Sequence, residues 1–306
     1  MYIPFVDLQP KPWLMKRLDR AYEHVMYTGR YIGGGVVHAF EEEWANYVGT
    51  KHCIGVGSGS DALRLLCPVD KMAVVPRNSQ PTIDALSGYR ALYISDNIDE
   101  QTYNLRPHHG GPACVVHLYG CPADIDEFTG YPIIEDCAQA HGAKYKGRKC
   151  GTLADAAAWS FYPTKNLGAY GDAGAITTDN DEIAARIRAT RGARIDPLQA
   201  AFLRVKLPFL DSWNNRRKEI AQRYLENLDA TSVILPEYPE WAEPCWHLFV
   251  IRHPDRDRLK EDLEERGIET MVHYEVDSEV LSLPCAPHLN NEQVDYVIEA
   301  VNQCAS

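Results

Sequence analysis

A chain of 306 residues with 45% apolar, 24% charged and 10% aromatic side chains has the composition of a globular protein of about two domains, which excludes disorder and fibrous repeats. Lys and Arg number 31 against 43 Asp and Glu, a formal charge of −12, so charge excludes nucleic acid as a partner and any anionic ligand must be met by local donors. No apolar run approaches the ~18 residues of a membrane span, and Met1-Tyr-Ile-Pro-Phe-Val-Asp has no charged and apolar leader, so no membrane partner is expected and the chain reads as cytoplasmic.

Short apolar runs bounded by turn residues alternate with helical patterns through the first two thirds, the signature of a mostly parallel sheet covered by helices. In chain order the predicted elements are a helix over Val36 to Tyr47, a strand over His52 to Val56, a helix over Ser60 to Leu66 and a strand over Met72 to Pro76. A helix over Pro81 to Leu86 and strands over Ala91 to Ser95, Ala113 to Leu118, Tyr131 to Asp136, Ala156 to Phe161 and Ala173 to Thr178 follow, then a helix over Asp181 to Thr190. Together the strands make one seven-stranded sheet. From Leu198 a helical pattern runs to about Leu228, kinked by Pro208, as a bridge to a smaller α+β unit. That unit has a strand over Trp246 to Arg252, a helix over Asp255 to Arg266 stopped by Gly267, and a helix over Glu292 to Asn302.

Nine cysteines, with no C-x-x-C pair, argue against a disulfide framework. Cys114, His117 and Cys121 are the nearest thing to a metal cluster, but Ala113 to Leu118 reads as a buried strand, in which residues three apart face opposite ways, so a packed core strand is expected there. His117 and His247 lie within apolar strands and are read as satisfied core residues.

Three segments each follow a predicted strand, at the edge where open α/β sheets place their ligands. In Gly55-Val-Gly-Ser-Gly-Ser-Asp-Ala-Leu, glycines permit close backbone approach and Ser60 and Asp61 start a helix whose free N–H groups can meet a phosphate; alone it is equally a glycine turn with an N-cap. In Ile133-Ile-Glu-Asp136-Cys-Ala-Gln139, an apolar strand ends in an acid. Asp136 needs a cationic partner there, and a pyridinium nitrogen is one, or else it caps the next helix. Gln139 is placed to donate to a phenolic oxygen on the same ring. In Trp159-Ser160-Phe-Tyr-Pro-Thr-Lys165-Asn-Leu-Gly, a lysine among aromatic and small residues can lose its proton through desolvation and serve as a Schiff-base nucleophile, with Ser160 offering a hydroxyl to a phosphate.

Together these segments resemble the pyridoxal-phosphate sugar aminotransferases of the DegT/StrS type, built on the aspartate-aminotransferase fold (fold type I). The resemblance extends over Pro4-Phe-Val-Asp-Leu, Gly29-Arg-Tyr-Ile-Gly-Gly, Val116-His-Leu-Tyr-Gly, Leu198-Gln-Ala-Ala-Phe-Leu-Arg-Val-Lys-Leu and Trp246-His-Leu-Phe-Val, nearly the whole chain. It implies a large cofactor-binding α/β domain over residues 1–205 and a smaller α+β domain over 206–306, paired as a homodimer with shared active sites. It implies pyridoxal 5'-phosphate as cofactor and Lys165 as the catalytic lysine that holds it and then shuttles the proton. Asp136 is implied on the pyridine nitrogen, Gln139 on the ring hydroxyl, and Gly59, Ser60, Asp61 and Ser160 on the phosphate. The implied donor is L-glutamate and the implied acceptor a nucleotide-linked keto-deoxysugar, by analogy a dTDP-3-keto-6-deoxyhexose aminated at C3. A sugar dehydratase is the second reading, against which Lys165 counts because those relatives carry His at this position; an idle cofactor-binding paralogue or regulator is the third.

The chain is shorter than the family pattern between Leu66 and Met72, after Thr82, between Gly192 and Arg194 and after His273-Tyr274. Asn78-Ser-Gln80-Pro stands where an aromatic normally stacks on the cofactor ring, and Gln80 is placed to cover the ring face instead. A loop carrying an Asn to the partner subunit's phosphate is missing. Within the run Arg186, Arg188, Arg191 and Arg194, either Arg191 or Arg194 is a candidate replacement, against the ordinary reading of a solvated basic helix end. The same run is also the first place expected to meet a diphosphate.

Overall fold

The structure, a computed structural model, describes residues 1–67, 73–87, 92–107, 113–129, 132–275 and 277–305. The strand starts expected at Met72, Ala91 and Tyr131, and the contracted link from residue 68 to Met72, lie outside these residues.

Seven strands form one sheet: β1 (His52–Val56), β2 (Ala73–Pro76), β3 (Leu92–Ser95), β4 (Ala113–Val116), β5 (Ile133–Asp136), β6 (Ala156–Ser160) and β7 (Gly174–Thr178). Their spatial order is β1-β7-β6-β5-β4-β2-β3. β7 runs antiparallel to both neighbours and the remaining pairs are parallel. β4 ends at Val116 rather than Leu118: His117 N makes the last ladder bond, to Asp136 O of β5, and Tyr119 then turns the chain at φ 60°.

Helices cover both faces, as burial of a parallel sheet requires. On one side Phe40 and Trp44 of α2 (Gly35–Val48) pack edge-to-face on Phe161 and Trp159, with ring centroids 5.0–5.4 Å apart. On the other, α3 (Gly59–Leu66), α4 (Gln80–Leu86) and α5 (Asp181–Thr190) lay Leu63, Leu86 and Ile187 against Ile54, Cys114 and Ala158. The amino-terminal helix α1 (Pro12–Thr28) has no counterpart among the predicted elements. Leu14, Leu18 and Val25 form its buried stripe, but Trp13, Met15, Tyr22 and Met26 are each more than 40% exposed, so apolar residues stand on several faces and blur the pattern.

The long helical pattern divides at Pro208 into α6 (Pro197–Lys206) and α7 (Leu210–Asn227), joined by a 3-10 turn over Leu207–Phe209. Beyond it, β8 (Phe249–Arg252) pairs antiparallel with β9 (Val280–Leu283), and α8 (Arg256–Glu265) and α9 (Asn291–Cys304) pack with the end of α7 into a second core around Tyr224, Phe249, Leu263 and Val297. Ile3 crosses into this core and bridges to Ile268. The strand expected from Trp246 begins only at Phe249. Trp246 has φ 50°, and Cys245 and Leu248 bond to Gly120 and Tyr119, so this stretch follows the turn after β4 instead of a strand partner.

All nine cysteines are free. Among the described residues the grouping with converging ligand atoms is His117, Glu135 and Cys150, not Cys114, His117 and Cys121. Its donors are already spent. Ala123 N donates to His117 Nδ1 at 3.0 Å, which places the ring proton on Nε2, 2.9 Å from Glu135 Oε2. Glu135, fully buried, also accepts from Gly151 N (2.6 Å), Leu153 N (2.8 Å) and Ala154 N (3.1 Å), pinning the 151–154 turn to β5. Glu135→Gln keeps the shape but sets an amide donor among these donors. Urea unfolding followed by circular dichroism is expected to show a loss of about 3–5 kcal/mol.

Candidate active site

β5 and β6 lie side by side at the centre of the sheet, with Asp136 in register with Ala158, and the chain leaving each strand carries the polar side chains of the site. Asp136 is 4% exposed. Its Oδ2 accepts from Thr82 Oγ1 at 2.7 Å and its Oδ1 from Ala138 N at 3.1 Å. Thr82 is a site contact that no spacing pattern announces, a hydroxyl early in a short helix. Gln80, expected over the cofactor ring, is exposed and donates its amide to Asp84 one turn along α4 at 2.7 Å, so Thr82 and not Gln80 reaches Asp136.

Gln139 is also buried. Its Oε1 accepts from Tyr119 N at 2.6 Å, which fixes the amide so that Nε2 donates to Tyr274 Oη at 3.0 Å. Burial pushes the Tyr274 phenol up to about 12. An amide nitrogen has two N–H groups, so one remains for a ligand.

Lys165 stands in a tight loop after β6. Lys165 N donates to Tyr162 O and Ala169 N to Phe161 O, and a Cβ on Gly168 would lie 2.2 Å from Pro163 O, so only glycine closes this turn. The lysine is partly buried. Burial lowers its pKa to about 8, against opposing pulls from Asp136 and Cys245.

The glycine-rich turn lies against the same strand end. A Cβ on Gly59 would sit 2.7 Å from Ser160 Cβ, and one on Gly174 would sit 2.8 Å from Gly59 N, so three chain segments meet at a spacing that excludes side chains. α3 starts at Gly59, one residue before the expected Ser60, because Ser58 is the cap: its Oγ accepts from Asp61 N at 3.1 Å and donates to Asp61 Oδ2 at 2.8 Å. The N–H groups of Gly59 and Ser60 precede the first intrahelical bond and point out of the helix start. Ser160 Oγ accepts from Tyr162 N at 3.3 Å.

Arg191 does not reach outward. It is paired with Glu41 at 3.0 Å and donates to Gly55 O at 2.8 Å, while Arg186 donates to Leu65 O. Arg191 braces β1 and Arg186 the end of α3, and Arg194 is exposed. His247 is held by Asn166: Asn166 Nδ2 donates to Asn214 and Cys245, so its Oδ1 accepts from His247 Nδ1 at 2.9 Å. Burial, with Lys165 second, keeps both His247 and His141 neutral, His141 at about 3.

An amine that titrates near neutral pH, a buried carboxylate beside it, a fixed amide donor and a close-packed N–H turn are the donors that an aldehyde-bearing pyridine phosphate requires. The residues fit pyridoxal phosphate, and with the seven-stranded sheet they define a fold type I pyridoxal-phosphate transferase. Comparison with known proteins agrees. Residues 13–193 and 189–278 match the DegT/DnrJ/EryC1/StrS aminotransferase family. The dTDP-3-amino-3,6-dideoxy-alpha-D-galactopyranose transaminase of Aneurinibacillus thermoaerophilus is 38% identical over 98% of this chain and 99% of its own. The dTDP-3-amino-3,4,6-trideoxy-alpha-D-glucose transaminase of Streptomyces venezuelae is 36% identical over 99% of this chain and 96% of its own. The crystal structure of S. venezuelae DesV in complex with a ketimine intermediate superposes with a TM-score of 0.94 at 36% identity, covering 100% of this chain and 99% of that one. The chain belongs to the DegT/DnrJ/EryC1/StrS aminotransferase family. The A. thermoaerophilus alignment spans 359 positions against 306 residues, so that relative carries segments absent here.

The lowered Lys165 pKa has a direct consequence, since only the unprotonated amine is nucleophilic. Reductive methylation of Lys165 in the cofactor-free protein, read by mass spectrometry, is expected to rise about tenfold per pH unit up to about pH 8 and level off above it. An exposed lysine in the same sample keeps rising.

Proposed function

We propose that the protein is a pyridoxal-phosphate-dependent aminotransferase that moves the amino group of L-glutamate onto a nucleotide-linked keto-deoxysugar, a dTDP-3-keto-6-deoxyhexose, in amino-sugar biosynthesis. The observation that carries this reading is Lys165, an amine brought to about 8 by burial within electrostatic reach of the buried Asp136. The relatives' names, both 3-amino-sugar transaminases, support the acceptor class.

Within this reading the Gly59 and Ser60 N–H groups and Ser160 Oγ hold the phosphate, and Asp61 serves by locking Ser58 at the helix start. Asp136 receives the pyridine nitrogen, kept in place by Thr82, and the free N–H of Gln139 meets the ring oxygen. Bound there, pyridoxal phosphate supplies an electron-withdrawing ring beside the reacting carbon. Lys165 Nζ, able to hold or release a proton near neutral pH, is the group that moves protons at that carbon. Buried Tyr119 and His247, with half-buried Tyr274, keep water from this side of the site.

Lys165→Ala is expected to abolish amino transfer and to shift the cofactor's visible absorbance. Asp136→Asn should bind cofactor yet turn over about 10²–10⁴ times more slowly. Purified protein assayed with glutamate against a panel of nucleotide-linked keto sugars checks both, and an active Lys165→Ala enzyme rejects the assignment.

We infer further that the chain acts in the cytoplasm as a homodimer with shared active sites and divides near residue 206 into a large cofactor domain and a smaller one. The break at Leu207–Phe209 supports the division, and the exposed Trp13, Met15, Tyr22 and Met26 of α1 support the dimer. Sedimentation is expected to give twice the monomer mass, and Met15→Glu with Tyr22→Glu should return a monomer of greatly reduced activity.

A further inference from the structure

A serine at a helix N-cap ordinarily turns its hydroxyl back to accept from a free backbone N–H of the first turn. Ser58, Asn180, Asp196 and Asn290 use their side chains to cap helices in this way. Ser79 holds the same position at the start of α4 and makes no such bond. Pro81 removes one donor of that turn, and Thr82 N goes to the Ser79 carbonyl at 3.1 Å, so the serine hydroxyl is released from capping. It lies 2.6 Å from Thr82 Oγ1, which in turn lies 2.7 Å from Asp136 Oδ2. Ser79, Thr82 and Asp136 are 3%, 1% and 4% exposed, so solvent is kept from all three.

While Asp136 is ionised, the two hydroxyl hydrogens of this chain have one arrangement. A carboxylate only accepts, so the Thr82 hydrogen is committed to Oδ2, and Thr82 must itself accept from Ser79. Both hydroxyl dipoles then point toward the acid. Hydrogen bonds aligned in this way polarise one another, and away from water they favour the charged form of the group at the end of the chain. A carboxyl carrying its own proton is a weaker acceptor and forfeits that alignment. Gln80 and Asp84, exposed on the same helix, bond to each other and leave the buried edge of α4 to the hydroxyls.

We propose that Ser79 is a positioning residue for the cofactor: acting through Thr82, it holds Asp136 as a carboxylate, so that the proton shared between Asp136 and the ring nitrogen of pyridoxal phosphate rests on the nitrogen. The inference rests on the pyridoxal-phosphate reading of the site and adds to it a residue one hydroxyl removed from the acid. Its side chain has a use that helix formation does not explain, since α4 starts at Gln80 with no side-chain cap.

Fluorescence-quench titration of the cofactor-free protein compares pyridoxal phosphate with the analogue in which C–H replaces the ring nitrogen. Aldehyde, ring hydroxyl and phosphate are common to both, so the ratio of the two affinities isolates the nitrogen. The wild type is expected to prefer the nitrogen compound. Thr82→Val, close to isosteric, should lower the affinity for pyridoxal phosphate about 10- to 100-fold and Ser79→Ala about 2- to 10-fold, with the analogue unchanged within about twofold. Thr82→Ser restores the hydroxyl and should recover the wild-type ratio. Ser79→Ala removes no cap bond, so it serves if Thr82→Val fails to fold. Equal weakening of both compounds assigns the hydroxyls to the packing of α4 and overturns the proposal. A wild type that binds the two compounds equally rejects Asp136 as the partner of the ring nitrogen, and with it the cofactor reading of the site. A discriminating wild type beside a Ser79→Ala variant that discriminates as well rejects only the role of Ser79.

Discussion

Two neighbouring carboxylates in the central strand organise the molecule. Successive side chains of a strand face opposite sides, so Glu135 and Asp136 are driven into different layers. Glu135 enters the layer of α2 and the 151–154 turn, where three backbone N–H groups and His117 use up its acceptors. Asp136 enters the layer of α4, where one hydroxyl and one backbone N–H meet it. A slip of one residue would exchange a saturated carboxylate for an unsaturated one on both faces, so the register of β5 is set by polar satisfaction as much as by apolar burial. The acid that stays under-coordinated, Asp136, is the one with acceptor capacity to spare.

The same logic of incomplete satisfaction marks the rest of the site. Lys165 has a pKa near 8 because burial outweighs Asp136 and Cys245. Gln139 is anchored through its carbonyl oxygen, which commits its nitrogen end toward Tyr274 and the site. The acidic total of the protein gives no hint of this, because net charge is a sum over the surface and the site is set by a few groups at short range. The arginine run at 186–194 illustrates the converse: Arg191 looks available by composition, but Glu41 and the Gly55 carbonyl already hold it.

Much of the sheet was legible because strands buried on both faces read as near-continuous apolar runs, and β1 matches its expected bounds residue for residue. The loop after β6 and the acid at the end of β5 were legible for a different reason: their residue types are unusual where they stand. What the chain did not announce are features decided by tertiary partners. The buried stripe of α1, Leu14, Leu18 and Val25, is masked in the sequence because much of the helix's other apolar surface faces outward. Trp246 to Leu248 carries strand-like residues but bonds to the turn at Tyr119 and Gly120. Thr82 is an ordinary helix residue until Asp136 is placed beside it. Gln80 is held along its own helix, because a carboxylate one turn away, Asp84, takes its amide at short range.

α7 shows why the cavity beside Lys165 and the two cores are one structural problem. Leu210, Arg217 and Tyr224 recur at intervals of seven residues and so lie along one side of the helix. Leu210 belongs to the core under the large sheet and Tyr224 to the core of the carboxyl-terminal unit. An apolar residue at position 217 would continue that stripe and join the two cores directly. The arginine interrupts it where the helix passes the cavity, replacing favourable burial with a cation that the protein only partly satisfies. Such a substitution is stable only if the surrounding packing carries its cost, and α7 is anchored on both sides to do so. A helix fixed in both cores holds its midpoint rigidly where it passes the cavity that Lys165 also lines.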